Sequence, residues 1–290
     1  METNATVITA RSQRQAMDWS LVLASQGIET TIDLAPESGG WILLIGAHDA
    51  PRAFAALRQY RLENRGWTWQ QPLSWSGLTF HWGAAIWAFS LALIFSFDAG
   101  QGSGLRSSGA MDSVAVRAGQ WWRLLTAVSL HSDLGHLAAN LTFGFLLLGL
   151  AMARYGAGLA LLAAFLAGGL GNVFGLIFNA GPYRGVGASG MVMGALGLMT
   201  VQSLALWQAH PRAGRLIVSG LFGGTLLFVL LGLDPKSDVV AHLGGFVGGL
   251  LFGGILAWLP AKRIHTLRVN LAASLLLLGL FFGTWWLALR

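Results

Sequence analysis

The sequence predicts an all-α polytopic membrane protein with a small soluble α/β domain at its N-terminus. Three observations predict it. Of 290 residues, 54% are hydrophobic and only 10% charged, against roughly 25% charged in an ordinary soluble domain. Mean hydropathy is +0.61. The apolar residues fall into seven long runs, all after residue 77, each approaching the ~20 residues that cross a ~30 Å hydrocarbon core. Forty glycines and thirteen tryptophans suit such a bundle, because small residues let helices approach and Trp anchors at interfaces.

Residues 1–66 read as the soluble domain, in the order β-α-β-β-α. Residues 6–10 form a strand signal, and 12–25 a helix that Gly27 stops. Thr30–Leu34 alternates as a strand, Gly39-Gly40 turns the chain, and 41–45 is a second apolar strand. Asp49 caps a helix starting at Pro51, with Phe54, Leu57 and Tyr60 on one face. No catalytic constellation stands out here, so a regulatory, binding or structural role is expected, with an unknown partner. The first long apolar run lies far from the start, so no cleavable leader is expected. Residues 67–77 form a linker.

The seven runs are 78–97, 136–153, 157–178, 189–208, 214–232, 239–258 and 268–288. Most connections are short. Segment 98–130 is long and rich in Gly, Ser and Trp; a loop of that length is expected to fold against the membrane.

Residues 1–77 hold six Lys/Arg and seven Asp/Glu, and residues 78–290 hold twelve and five. The basic surplus therefore belongs to the membrane part, where it meets lipid headgroups. It does not cluster into runs, and no nucleic-acid partner is expected. Cysteine is absent, which excludes disulfides, a thiol nucleophile and a Cys-based metal site. Arg61, Arg65, Arg154, Arg212, Arg215, Lys262, Arg263 and Arg268 share one side if the N-terminus is cytoplasmic. Arg184, Lys236, Arg290 and the long-loop Arg106, Arg117 and Arg123 take the other. This bias favours N-in, C-out.

With that orientation, runs two, four and six all begin at the outer face. His136 and Asn140 open run two, Ser189 opens run four, and His242 lies in the first turn of run six. Four polar residues from three segments thus reach one leaflet at similar depth, and polar groups at membrane depth are functional by default. Taken alone, Ser189 also suits a packing residue or helix cap. It departs from G-x-S-x-G because the fifth position is Met191. Taken alone, His242 also suits a hydrogen-bonded packing histidine. Together they read as a nucleophile and its base. Gly190 and Gly194 after the serine, and Gly245 and Gly249 after the histidine, offer glycine faces on which the two helices can close. His136 and Asn140 share a helical face at i and i+4; with the Ser189 amide they can donate to an oxyanion. A metal site on His131, His136 and His242 would lack acidic ligands apart from Asp133, and no metal or cofactor is expected. Asp133, Asp234 and Asp238 are not assigned as a third catalytic acid.

These residues resemble the rhomboid family of intramembrane serine proteases. The similarity covers 78–258. It rests on Trp122-Arg123, His131-x4-His136-x3-Asn140, Gly187-Ala188-Ser189-Gly190 and Ala241-His242-x2-Gly245-x3-Gly249, in that order. The resemblance implies a six-helix core with a Ser189–His242 dyad. It implies an oxyanion site at His136, Asn140 and the Ser189 amide, with His131 organising the site and its water. Trp122 and Arg123 would shape the first loop. The region 259–290 would hold a loop and the extra seventh helix of one family variant. Substrates would be transmembrane or juxtamembrane segments of proteins in the bacterial inner membrane. Two departures stand out. Met193 replaces an aromatic that packs on the base histidine in many relatives, and an acidic residue is missing around 152–154. The rival readings are a non-catalytic relative that binds membrane helices and assists their turnover, and a transporter or channel. A pure binder needs neither Ser189 nor His242, and a transporter would show more polar mid-membrane positions.

Overall fold

The computed structural model describes residues 5–35, 39–64, 79–101, 104–179, 181–206, 213–233 and 238–290. The expected linker 67–77, Arg65, Arg212, Asp234 and Lys236 lie outside these residues. The chain divides into two compact units, Met1–Leu73 and Ser74–Arg290.

The first unit has the order β1 (Ala5–Ala10), α1 (Gln13–Ser25), β2 (Thr30–Leu34), β3 (Trp41–Gly46) and α2 (Ala50–Glu63). Its antiparallel sheet is ordered β1-β3-β2. Ser12 caps α1, its Oγ accepting the Gln15 amide at 3.2 Å, and Gly27 follows at φ +71°. Ile8, Leu43 and Ile45 from the sheet pack on Trp19 and Leu23 of α1 and on Ala53 and Leu57 of α2. One expectation fails here. Phe54 is 52% exposed, and the inward face of α2 is Ala53, Leu57 and Tyr60. Those three recur at i, i+4 and i+7, and the small Ala53 lets α2 approach the core. Asp49 also makes no side-chain cap bond; its carboxylate pairs with Arg52 at 3.0 Å.

The second unit is helical. Its long helices are α3 (Gly83–Gln101), α7 (Leu134–Tyr155), α8 (Ala157–Phe178), α9 (Ser189–Thr200), α10 (Ala213–Gly232), α11 (Val239–Trp258) and α13 (Leu267–Ala288). Five of them are long and apolar enough to cross a bilayer; α3 and α9 are the shorter apolar helices. Run four was expected to be helical to 208, but α9 stops at Thr200 and a 3₁₀ turn takes over from Gln202. α10 and α13 are only 17% buried along their apolar windows. Phe222, Leu230, Leu275 and Phe282 stand exposed, as side chains in contact with lipid tails would.

The middle of the bundle is α9 packed among α7, α8 and α11. Nearly every residue of α9 is buried, and α8 and α11 meet it with glycine and alanine. Between helices in lipid, attraction comes mainly from close packing, so small side chains set how near the backbones come. The long loop folds into short pieces: α4 (Leu105–Gly109), β4 (Met111–Asp112), α5 (Ser113–Arg117) and α6 (Arg123–Thr126). β4 pairs with β5 (Arg184–Gly185), which ties the loop to the segment before Ser189. After α12 (Ala261–Ile264), α13 is fixed at both ends. Asn270 Oδ1 accepts the amides of Gly158 at 3.1 Å and Leu159 at 3.3 Å, capping α8. Trp285 Nε1–H donates to Ser129 Oγ at 3.3 Å.

Candidate active site

Ser189 is the first residue of α9. It is half-buried and lines a cavity of about 80 Å³ with Asn172, Tyr183, Gly187 and Asp238. The chain enters α9 through Gly187 at φ +140°, and the Gly187 amide donates to Ala127 O at 3.0 Å. Tyr183 and Ser113 hold the same approach from the loop side. Ser113 N donates to Tyr183 O at 2.8 Å and Tyr183 N to Ser113 Oγ at 2.9 Å. Arg184 Nε donates to Asp112 Oδ2 at 2.9 Å.

His242 is buried in the first turn of α11. The cap of that helix is Asp238, whose Oδ1 accepts the Ala241 amide at 2.9 Å. The ring is oriented by a backbone group: Nδ1 lies 2.9 Å from the carbonyl of Gly232, the last residue of α10. A carbonyl only accepts, so the proton sits on Nδ1 and the neutral ring presents Nε2 as the basic nitrogen. No residue type in the sequence announces this contact.

α9 and α11 meet at bare backbone. A Cβ on Gly245 would collide with the carbonyl oxygen of Gly190, and one on Gly249 with that of Gly194. The two glycine faces read from the sequence are therefore apposed. Met193 is buried in the same core as Phe246, and Phe246 stacks on Phe228 of α10 at 4.7 Å.

His136 and Asn140 stand on one face of α7, against the peptide that leads into Ser189. A Cβ on Gly187 would lie 2.7 Å from His136 Nε2 and 3.7 Å from Asn140 Nδ2. The approach of the His136 ring leaves no room for a side chain at position 187. Asn140 is 5% exposed, and its Nδ2 has no hydrogen-bond partner among the described residues. A buried donor left unpaired is costly.

His131 is fully buried before α7. Its Nε2 accepts the Ala188 amide at 3.4 Å, and Nδ1 has no partner among the described residues. Burial pushes its pKa down to about 4, helped by His136 and Arg106 nearby, so it stays neutral. Arg123 is engaged within the first loop. It knits the loop, donating from Nε to Gln120 Oε1 at 2.7 Å, and from its two terminal nitrogens to Ala110 O and Ser107 O, both at 2.8 Å. Trp122 is the cap residue before α6, with its buried Nε1 unpartnered among the described residues. No group of three or more His, Asp or Glu side chains among the described residues is arranged to hold a metal. The sequence reading missed Gly232, Ser113 and Tyr183, which act through backbone or local contacts. It also left Ser132 and Asp133 without roles, although both touch His136.

A family model described as the Rhomboid domain matches residues 118–259. Rhomboid protease GluP of Bacillus subtilis is 32% identical over 179 residues, covering 60% of this chain and 33% of that protein. RHOMBOID-like protein 5 of Arabidopsis thaliana is 30% identical over 158 residues, 54% of this chain and 50% of its own length. The putative rhomboid protease YdcA of B. subtilis is 28% identical over 155 residues, 52% of this chain and 75% of its own length. The match thus spans a third to a half of the first two relatives. Its region carries every site residue named from the sequence, on a bundle of apolar helices. The chain is a multi-pass membrane protein that carries a Rhomboid domain over residues 118–259.

Proposed function

We propose that this protein is an intramembrane serine endopeptidase that cuts transmembrane or juxtamembrane segments with a Ser189–His242 dyad. The observation that carries the reading is the oriented base. With Nδ1 committed to Gly232 O, His242 presents Nε2 as the proton acceptor a serine nucleophile needs. The backbone contact of Gly245 with Gly190 supports a close approach of the helices that carry the pair.

In this reading Ser189 Oγ attacks the scissile carbonyl as His242 Nε2 takes its proton. The tetrahedral oxyanion is met by Asn140 Nδ2, the His136 ring and the Ser189 amide at the helix N-terminus. The imidazolium of His242 then protonates the leaving amine. An acyl-enzyme on Ser189 remains, and water activated by the same histidine hydrolyses it. Such a mechanism needs water, and the length of α9 suggests how it arrives. Twelve residues span ~18 Å of a ~30 Å core. If the far end of α9 reaches the inner boundary, Ser189 lies roughly 12 Å below the outer one. We place the N-terminus in the cytoplasm, the bundle in the inner membrane and the site open to the outer face. We divide the chain into a soluble domain at 1–66, a linker at 67–77, the six-helix core at 78–258 and the seventh-helix region at 259–290.

The test uses purified protein in liposomes with a panel of single-span substrates and a serine-reactive phosphonate. Cleavage and labelling are expected, with both lost in Ser189→Ala. Binding of the same substrates without cleavage or labelling would favour a non-catalytic helix binder instead.

A further inference from the structure

The first turn of α7 carries a hydrogen-bond chain that the dyad mechanism does not use. Both oxygens of Asp133 are engaged. Oδ1 accepts the His136 amide at 2.8 Å and caps the helix. Oδ2 accepts the Ser132 hydroxyl at 2.7 Å. Ser132 Oγ in turn lies 3.1 Å from His136 Nδ1. These bonds hold the Asp133 carboxyl below the usual carboxylate range, the His136 amide contributing most and the Ser132 hydroxyl next, so it is an acceptor only.

A serine hydroxyl has one proton. Given to Asp133, it is not available to His136, and the Ser132 oxygen is left to accept. The hydrogen between Ser132 and the ring is therefore carried by Nδ1. Such a ring exists in two forms. When neutral, its Nε2 is a bare lone pair; when cationic, Nε2 carries a proton as well. Nε2 is the nitrogen turned to the backbone at Gly187. A lone pair there repels a developing oxyanion, whereas an imidazolium N–H donates a charge-assisted bond about twice as strong as a neutral one.

We infer that Ser132 and Asp133 are positioning residues that fix the His136 proton on Nδ1, so that the oxyanion site works only with His136 in its cationic form. The inference rests on the reading of His136 as an oxyanion donor. The two site histidines are then required in opposite states, His242 neutral and His136 charged. The charged and titratable groups acting on His136 are Asp133 from its own turn and His242 from α11. His131, from the preceding loop, lies 5.3 Å away between ring centroids and is itself influenced by Arg106. Turnover therefore falls on the alkaline side as the His136 ring loses its second proton.

Asp133→Asn is the informative variant. Its Oδ1 can keep the cap on the His136 amide while its NH₂ donates to Ser132 Oγ. The Ser132 hydroxyl then turns to Nδ1, and the neutral ring carries its proton on Nε2. Two readouts on the full chain test this. The first is the ¹⁵N spectrum of histidine-labelled protein, with His136 assigned by its loss in His136→Gln. The wild type is expected to show neutral His136 protonated on Nδ1, and Asp133→Asn to show it on Nε2. The second is kcat against pH on one substrate. The wild type is expected to lose turnover on the alkaline side. Asp133→Asn is expected to lose that alkaline fall while turning over more slowly at the wild-type optimum. Ser132→Thr, which keeps the hydroxyl, should retain the fall, and Ser132→Ala should weaken it. An Nε2–H neutral His136 in the wild type, or an unchanged alkaline fall in Asp133→Asn, would overturn the inference. If no variant cleaves substrate, it is the protease reading that fails, and the ring spectra still decide where the proton sits.

Discussion

Gly245→Val probes the helix contact on which the proposed dyad depends. A Cβ at Gly245 would lie 2.9 Å from both the carbonyl carbon and the Cα of Gly190, and nearer still to its oxygen. Non-bonded carbons rest at ~3.5–4.0 Å, so those two contacts alone require about 0.6 Å of separation. The closer oxygen and the two extra methyls of valine raise the displacement to ~1 Å. The atoms struck are backbone, which cannot rotate away as a flexible side chain would. Gly190 directly follows the nucleophile and Gly245 lies one turn beyond the base, so the displacement falls on the Ser189–His242 distance itself. A misplacement of ~1 Å can cost roughly 10²-fold in rate, or about 2.7 kcal/mol in the barrier. Overpacking costs a further ~1–3 kcal/mol in stability. The assay is cleavage of a single-span substrate in liposomes alongside a thermal melt in detergent. Gly283→Val in α13 is the control, since a Cβ there meets nothing within 4 Å; it should leave both readouts near wild type. Wild-type cleavage by Gly245→Val would refute the reasoning and require another geometry for the dyad.

Ser189→Ala and His242→Ala should each abolish proteolysis, and the double variant should be little worse, because residues acting as a unit are not additive; single-turnover assays read this. Asn140→Ala should lower kcat by about 10²–10³ with little change in KM, as expected for a donor that serves developing charge; a KM defect alone would reassign Asn140 to substrate binding. Acid should destabilise the bundle through His131. Its pKa falls from 6.5 to about 4 on folding, so its contribution is complete above pH 6.5 and is lost as pH drops toward 4, by about 3 kcal/mol in all. Melts between pH 7 and 4 should show that slope reduced in His131→Gln. Single cysteines on this cysteine-free chain test the orientation: an impermeant thiol reagent should label Gly181→Cys from outside intact cells and leave Lys262→Cys unlabelled.

The sequence by itself determined the class and marked the residues from which the proposed chemistry is drawn. Long apolar runs gave the helices because nothing else satisfies a backbone in lipid, and the boundaries of α8, at 157 and 178, were legible to the residue. Ser189, His136, Asn140 and His242 were legible because polar side chains are rare at such positions, and the glycines at 190 and 245 because their spacing repeats along one helix face. In the small N-terminal unit, alternation and turn residues located every strand, but not which way α2 faces. Phe54 is outside and Ala53 inside, because closeness of approach, rather than hydrophobicity, chose that face. Only the tertiary structure decided how the two histidines are held. Gly232 orients His242 through a carbonyl that every residue type possesses. Ser132 and Asp133 act on His136 through the geometry of one helix turn. A sequence marks where a polar side chain is placed at a cost; the direction in which its proton points depends on neighbours that folding brings within 3 Å.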